Sequence, residues 1–141
     1  MSRILNIDDL PDVDIDSNGR FKYILIKVID GDKSKFLVRG YKWAAYHGNR
    51  FFIFFFCCSS FIFNYYSLIH TADIFDVVAP QDGKLKYDCV GGGRIEHSPE
   101  KKIIHIYGYS QGFGQADHKI SCDLVAKKYL DYKVTWSNEG Y

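Results

Sequence analysis

A run of nineteen residues without a charged side chain, FFIFFFCCSSFIFNYYSLI (51–69), constrains this chain more than any other feature, because it takes up seven of the eleven phenylalanines. Its length is close to the roughly 20 residues that a helix needs to cross a bilayer. Yet Cys57-Cys58-Ser59-Ser60, Asn64 and the pair Tyr65-Tyr66 dilute its hydropathy, and it separates strand-like sequence ending at His47 from helix-like sequence beginning at Ala72. A third reading comes from the codons. Phe, Ile, Cys, Ser, Tyr and Leu can all be spelled with pyrimidine-rich triplets, as a polypyrimidine tract would be. Gly48-Asn49-Arg50 can be read from a splice donor and His70-Thr71-Ala72 from a splice acceptor, and excision rejoins Tyr46-His47-Ala72-Asp73 in frame. Residues 48–71 are therefore expected to be translated intron or a gene-model error, with a genuine insertion and a membrane anchor as the alternatives.

The remaining chain reads as one domain spanning 1–141 and interrupted at 48–71, since 141 residues suffice for one core and not for two. Eighteen basic residues against seventeen acidic ones give no field that would gather nucleic acid or an anionic membrane, so any anion must be bound locally. Cys57, Cys58, Cys89 and Cys122 show no CxxC spacing, and MSRILNIDDLPDVDIDS has no apolar leader stretch, which points to a reducing cytoplasm. A neutral domain of this size is expected to be a monomer that contacts no membrane unless the 51–69 run is genuine.

The acidic opening, DDLPDVDIDSNG, reads as turn; FKYILIKV (21–28) reads as a strand from its aromatic and β-branched content. IDGDKSK follows as a loop and FLVRGY (36–41) as a second strand. ADIFDVVA (72–79) has Ile74, Phe75 and Val78 at helical spacing, with Pro80 as a stop. YDCVGGGRIEH and IIHIYGY (103–109), joined by SPEKK, suggest a β-hairpin. From His118 to Tyr129 an amphipathic helix sets Ile120, Leu124 and Val125 against Lys127 and Lys128, and YKVTW (132–136) closes the domain as a strand. The expectation is α+β: a mixed β-sheet flanked by two α-helices.

Several apparent motifs fail on their spacing. Cys89-Val-Gly-Gly-Gly-Arg94 is one residue short of a cysteine-phosphatase loop and continues as strand where that loop opens a helix. Asp14-Ile-Asp16-Ser-Asn18-Gly19 begins an EF-hand loop, but its twelfth position is Leu25 and no helix flanks it. His97, His105 and His118 lack metal-ligand spacing and read as structural or surface residues. His70 also precedes the Ala72 helix but lacks the YKWAAYH context of His47.

With 48–71 set aside, the chain resembles the phosphohistidine phosphatase and Janus/Ocnus family. The resemblance is carried by PDVDID, FKYILI, VRGYKWAAYH, ADIFD, GGGRIEH, KKIIHIYGYSQGFG, ADHKIS and VTWSNEGY, in order along nearly the whole chain. It implies hydrolysis of the phosphoramidate bond of phosphohistidine in partner proteins, with no metal or organic cofactor. It also implies that His47 is the catalytic proton acceptor, that Lys22 binds substrate, and that Ser110, Gln111 and Gly112 form the phosphate loop. Arg39 and Arg94 match basic residues near the site. The alternative is a non-catalytic, phosphate-binding regulatory module, because the interruption falls directly after His47.

Those residue types suit that chemistry. A phosphoryl group carries about two negative charges near neutral pH, and the turn in YSQGFG can converge backbone N–H groups on it. Gly112 and Gly114 are expected to supply the backbone angles and the close approach. Lys22 and Arg94 add fixed charge, which phosphoryl transfer uses chiefly for positioning and electrostatic stabilisation. A neutral imidazole at His47 can take a proton from an attacking water, and neighbouring cations keep it neutral by lowering its pKa. Direct attack by the imidazole through a phosphoenzyme is the other route.

Overall fold

The computed structural model describes residues 6–44, 74–75 and 84–140. His47 and all of 48–71 lie outside them. The described residues build one six-stranded mixed sheet: β1 (Val13–Ile15), β2 (Gly19–Asp30), β3 (Lys33–Tyr41), β4 (Lys86–Ser98), β5 (Ile103–Tyr107) and β6 (Lys133–Trp136). Their spatial order is β1-β3-β2-β4-β5-β6. One helix, α1 (His118–Lys128), crosses between β5 and β6, which are parallel; β1 lies parallel to β3, and the three central pairings are antiparallel. Of the helix expected over 72–79, Ile74 and Phe75 are described and are helical.

The strands follow the alternation in the sequence. In β2, Phe21, Tyr23 and Leu25 point to one face, packing with Val38, Ile95, Ile104, Ile106 and the α1 residue Val125. Ile24, Ile26 and Val28 point to the other face, against Ile7, Leu37 and Ile74. All of these are buried, and each large side chain so buried contributes on the order of 1.5–3 kcal/mol. A strand buried on both faces reads as a nearly continuous apolar run, which is why FKYILIKV is legible without strict period two.

The helix begins where Asp117 caps it, its carboxylate accepting from the N–H groups of Lys119 (3.1 Å) and Ile120 (3.4 Å). Lys127 and Lys128 occupy the last turn, where the helix dipole favours positive charge. The fully buried positions of α1 are His118, Ser121 and Val125, while Ile120 and Leu124 are only partly buried. The helix thus sits on the sheet one polar step around from the stripe expected from the apolar residues alone.

Two corrections concern loops. The expected IDGDKSK loop is mostly strand: Asp30 pairs with Lys33, leaving Gly31-Asp32 as a two-residue turn with Gly31 at φ 60. The acidic opening contains β1, which its aspartates hide from propensity. Tertiary contacts hold it there. Val13 and Ile15 are buried, and Lys128 Nζ donates to the Val13 carbonyl at 3.0 Å, covering part of that sheet edge.

Candidate functional site

The β2–β4 register sets charges face to face along the strands. Arg20 opposes Glu96, at 3.3 Å between Nη2 and Oε2, and Lys27 opposes Asp88. Between those complementary pairs Lys22 opposes Arg94. The register thus gathers two cations on one stretch of the sheet. The row continues outward to Tyr41 on β3 and Tyr107 on β5. Lys22 alternates with Phe21 and Tyr23, so this row lies on the sheet face opposite α1.

The loop after β5 comes down onto that face. Ser110 and Gly114 form a bridge closed by N–H to carbonyl bonds of 3.1 and 2.9 Å, and Gly114 in turn accepts from the Gly92 N–H at 3.0 Å. Gly92 permits this approach: a Cβ there would lie 2.7 Å from the Tyr23 carbonyl oxygen and 3.0 Å from Ser110 Cβ. The neighbouring Gly93 does the same for the helix side, since its Cβ would lie 2.4 Å from the Tyr107 carbonyl oxygen and 2.8 Å from His118 Cε1. The three glycines before Arg94 are therefore contact surfaces for the loop and for α1.

Ser110, Gln111 and Gly112 lie together at the turn, as the sequence places them. Ser110 is buried, and its Oγ accepts from the Phe113 N–H at 3.2 Å. Gln111 and Gly112 are exposed, and neither N–H donates to a described backbone carbonyl. Successive N–H groups in a turn are the ingredients of an anion nest. Gly112 corrects the expectation about backbone angles: a Cβ there would meet nothing within 4 Å, and the positive φ values of the loop belong to Gly108, at φ 76, and Gly114, at φ 79. Phe113 anchors the turn by an edge-on contact with Phe75, centroids 5.9 Å apart.

Arg39 shares the face but is 4% exposed. Its guanidinium donates to the carbonyls of Pro11 (2.6 Å), Val38 (2.9 Å) and Asp12 (3.3 Å), tying the segment before β1 onto β3. Burial pushes its pKa down, opposed by Tyr41 and by the Asp14 and Asp12 carboxylates. Tyr41 Oη donates to Asp14 Oδ2 at 2.7 Å, and its ring stacks on the half-exposed Trp43, 5.7 Å between centroids.

Behind the row, under α1, lies a neutral polar network. Tyr23 Oη is 2.5 Å from His118 Nδ1 and 3.1 Å from Ser121 Oγ, and His118 Nε2 is 2.7 Å from the Gly108 carbonyl oxygen. The carbonyl can only accept, so Nε2 carries the proton and Nδ1 of a neutral ring accepts from Tyr23. Burial lowers the His118 pKa and raises that of Tyr23, holding both uncharged. Sequence spacing gave no sign of this pairing, because the partners are 95 residues apart. His97 is likewise a core residue: Nδ1 bonds the Asp16 carbonyl at 2.9 Å while the ring packs edge-on against Tyr129 and Tyr132. The Cys89 thiol is pushed up to about 11 by burial and so stays protonated near neutral pH, as an unreactive strand residue would.

Among the described residues no helix is long and apolar enough to cross a membrane, and no group of His, Cys, Asp and Glu could hold a metal ion. Comparison with known proteins matches the Janus/Ocnus family model over residues 7–133. The 14 kDa phosphohistidine phosphatase of Sus scrofa is 41% identical, covering all of both chains, and that of Homo sapiens is 43% identical over 94% of each. The sex-regulated protein janus-A of Drosophila yakuba is 44% identical over 94% of this chain and 82% of its own. With these identities, and a family model running from before β1 to the first residue of β6, the chain belongs to the Janus/Ocnus family.

Proposed function

We propose that this chain is a protein phosphohistidine phosphatase, binding the phosphoryl group between Lys22, Arg94 and the Ser110-Gln111-Gly112 turn. The observation that carries the reading is the Lys22–Arg94 opposition, a like-charge pair on the face where the Gln111 and Gly112 N–H groups of the loop meet no described backbone carbonyl. Two cations brought together by strand register suit a bound dianion. The pig and human relatives named phosphohistidine phosphatase supply the substrate class. Arg39, with its donors on backbone carbonyls, supports the cradle by fixing the segment before β1 to β3.

In the proposed reaction, water attacks phosphorus as the P–N bond breaks. The His47 imidazole takes the water proton, the phosphoryl oxygens stay on the loop and the two cations, and the leaving imidazole of the substrate recovers a proton. The products are histidine and inorganic phosphate. No step calls on a metal or an organic cofactor, and the setting is a cytoplasmic monomer acting on phosphohistidine-containing proteins.

The test is phosphate release from a phosphohistidine protein by the 141-residue chain and by the form lacking 48–71, each with and without chelator. His47→Ala in the shorter form is expected to abolish turnover while retaining phosphate binding. Unchanged turnover in that variant, or strict dependence on added metal, refutes the reading. A second reading, a phosphate-binding regulatory module, is favoured by the interruption directly after His47 and by the relatives named janus-A; binding without turnover in both forms would select it. The proposal that 48–71 is translated intron is decided by the transcript across codons 47 to 72, where an uninterrupted coding exon would overturn it.

A further inference from the structure

The phosphate loop is held shut at its base by a side chain outside it. Gln115 pairs its backbone with Gly92 of β4, and its side chain turns back across the loop, where Nε2 lies 3.2 Å from the Gly108 carbonyl oxygen and 2.8 Å from that of Asn138. Both partners can only accept, so the amide nitrogen faces them and commits both of its hydrogens. The first bond joins the two ends of the 108–115 segment. The second hooks on the C-terminal segment, whose Ser137 N–H donates to the Ile106 carbonyl at 2.9 Å. That segment runs close over the loop entrance: a Cβ on Gly108 would lie 3.4 Å from the Gly140 carbonyl oxygen, and one on Gly140 would lie 3.3 Å from Tyr107 Cδ2. Gly108 also abuts Arg94, its Cβ position being 3.9 Å from Arg94 Cγ.

We infer that Gln115 is a positioning residue for the phosphate site, a two-pronged tie through which the C-terminal segment sets the loop against Arg94. The inference rests on the assignment of Ser110, Gln111 and Gly112 as the phosphate loop. The Gly108 carbonyl is gripped from both sides, by His118 Nε2 from the core and by Gln115 from the surface. Removing the outer donor leaves the inner one and the fold in place, but frees the loop to drift relative to the cations. Anion binding by converging N–H groups depends on their relative placement, so the loss appears in affinity before it appears in stability.

The test uses the full chain with two variants: Gln115→Met, of similar length without donors, and Gln115→Glu, which sets a carboxylate against two carbonyl oxygens. Inorganic phosphate is titrated by calorimetry, and amide exchange is followed at Gly92, Ser110 and Gly114. The expected result is a dissociation constant for phosphate raised about tenfold in Gln115→Glu, and less in Gln115→Met, as the loss of one or two modest hydrogen bonds implies. Exchange at the three amides quickens while the thermal midpoint stays near the parent's. On phosphohistidine, KM rises with kcat little changed. Variants that bind phosphate as the parent does, with parental exchange at those amides, overturn the inference alone. A parent that binds no phosphate sinks the functional reading, and this inference with it.

Discussion

The two faces of the central strands use polar residues in opposite ways. On the face under α1, Tyr23, His118 and Ser121 satisfy one another and carry no net charge; burial shifts the pKa values of Tyr23 and His118 in the directions that keep them neutral. On the other face, Lys22 and Arg94 are set opposite each other in the same strand pair that elsewhere matches Arg20 with Glu96 and Lys27 with Asp88. The first arrangement is neutral and the second concentrates positive charge. A concentration of like charge, in a strand pair that elsewhere matches opposite charges, is where an anionic ligand is to be sought.

The face under α1 depends most on Gly93, which lets the helix close on the sheet. Gly93→Val drives a side chain into the Tyr107 carbonyl and the His118 ring, and is expected to cost more than about 3 kcal/mol in urea denaturation. A variant with the parent's midpoint would show that the closeness of helix and sheet is not what this glycine is for.

Lys22→Glu separates function from stability. It sets a carboxylate opposite Arg94 in the strand register, a change expected to move stability by no more than about 1 kcal/mol. Phosphohistidine turnover should nonetheless fall by roughly a hundredfold, since a carboxylate now faces the phosphoryl group. Retained turnover would remove the cations from the site.

The neutral face predicts a pH dependence of stability. Because burial lowers the folded-state pKa of His118 below its ordinary value, the unfolded chain binds the proton first as pH falls. Its contribution is thus complete above about pH 6.5 and is lost as pH drops through the folded pKa. Chemical denaturation between pH 7.5 and about 5 should show this slope, and His118→Gln should flatten it while lowering stability at neutral pH. An equal slope in both proteins would assign it to other groups.

The smallest effects sharpen the picture of the loop. Gly114→Ala places a Cβ at φ 79 and is expected to cost about 1 kcal/mol. Gly112→Ala meets open space and should stay within about 0.5 kcal/mol of the parent. Equal losses at both positions would mean that the turn conformation differs from the one described.

Much of the architecture was written in the sequence, because strands buried on both faces and a capped helix leave local signatures: FKYILIKV, FLVRGY, the first five residues of IIHIYGY and the helix after Asp117 appear where their composition places them. The ordered motifs also determined the family, since co-linear segments need no coordinates to be matched. Three things required the tertiary structure. β1 forms in an aspartate-rich segment only because β3, Arg39 and Lys128 hold it, and its local propensity argues for a turn. His118 becomes a core residue only because Gly93 admits it beside Tyr23, a pairing across 95 residues that no spacing rule reaches. The opposition of Lys22 and Arg94 is a matter of strand register, fixed by which faces are buried and by the shift between Leu25 and Ile26. Local chain chemistry decides what each segment tends to be. Which side chains meet is decided by register and close approach, and those are properties of the packed sheet.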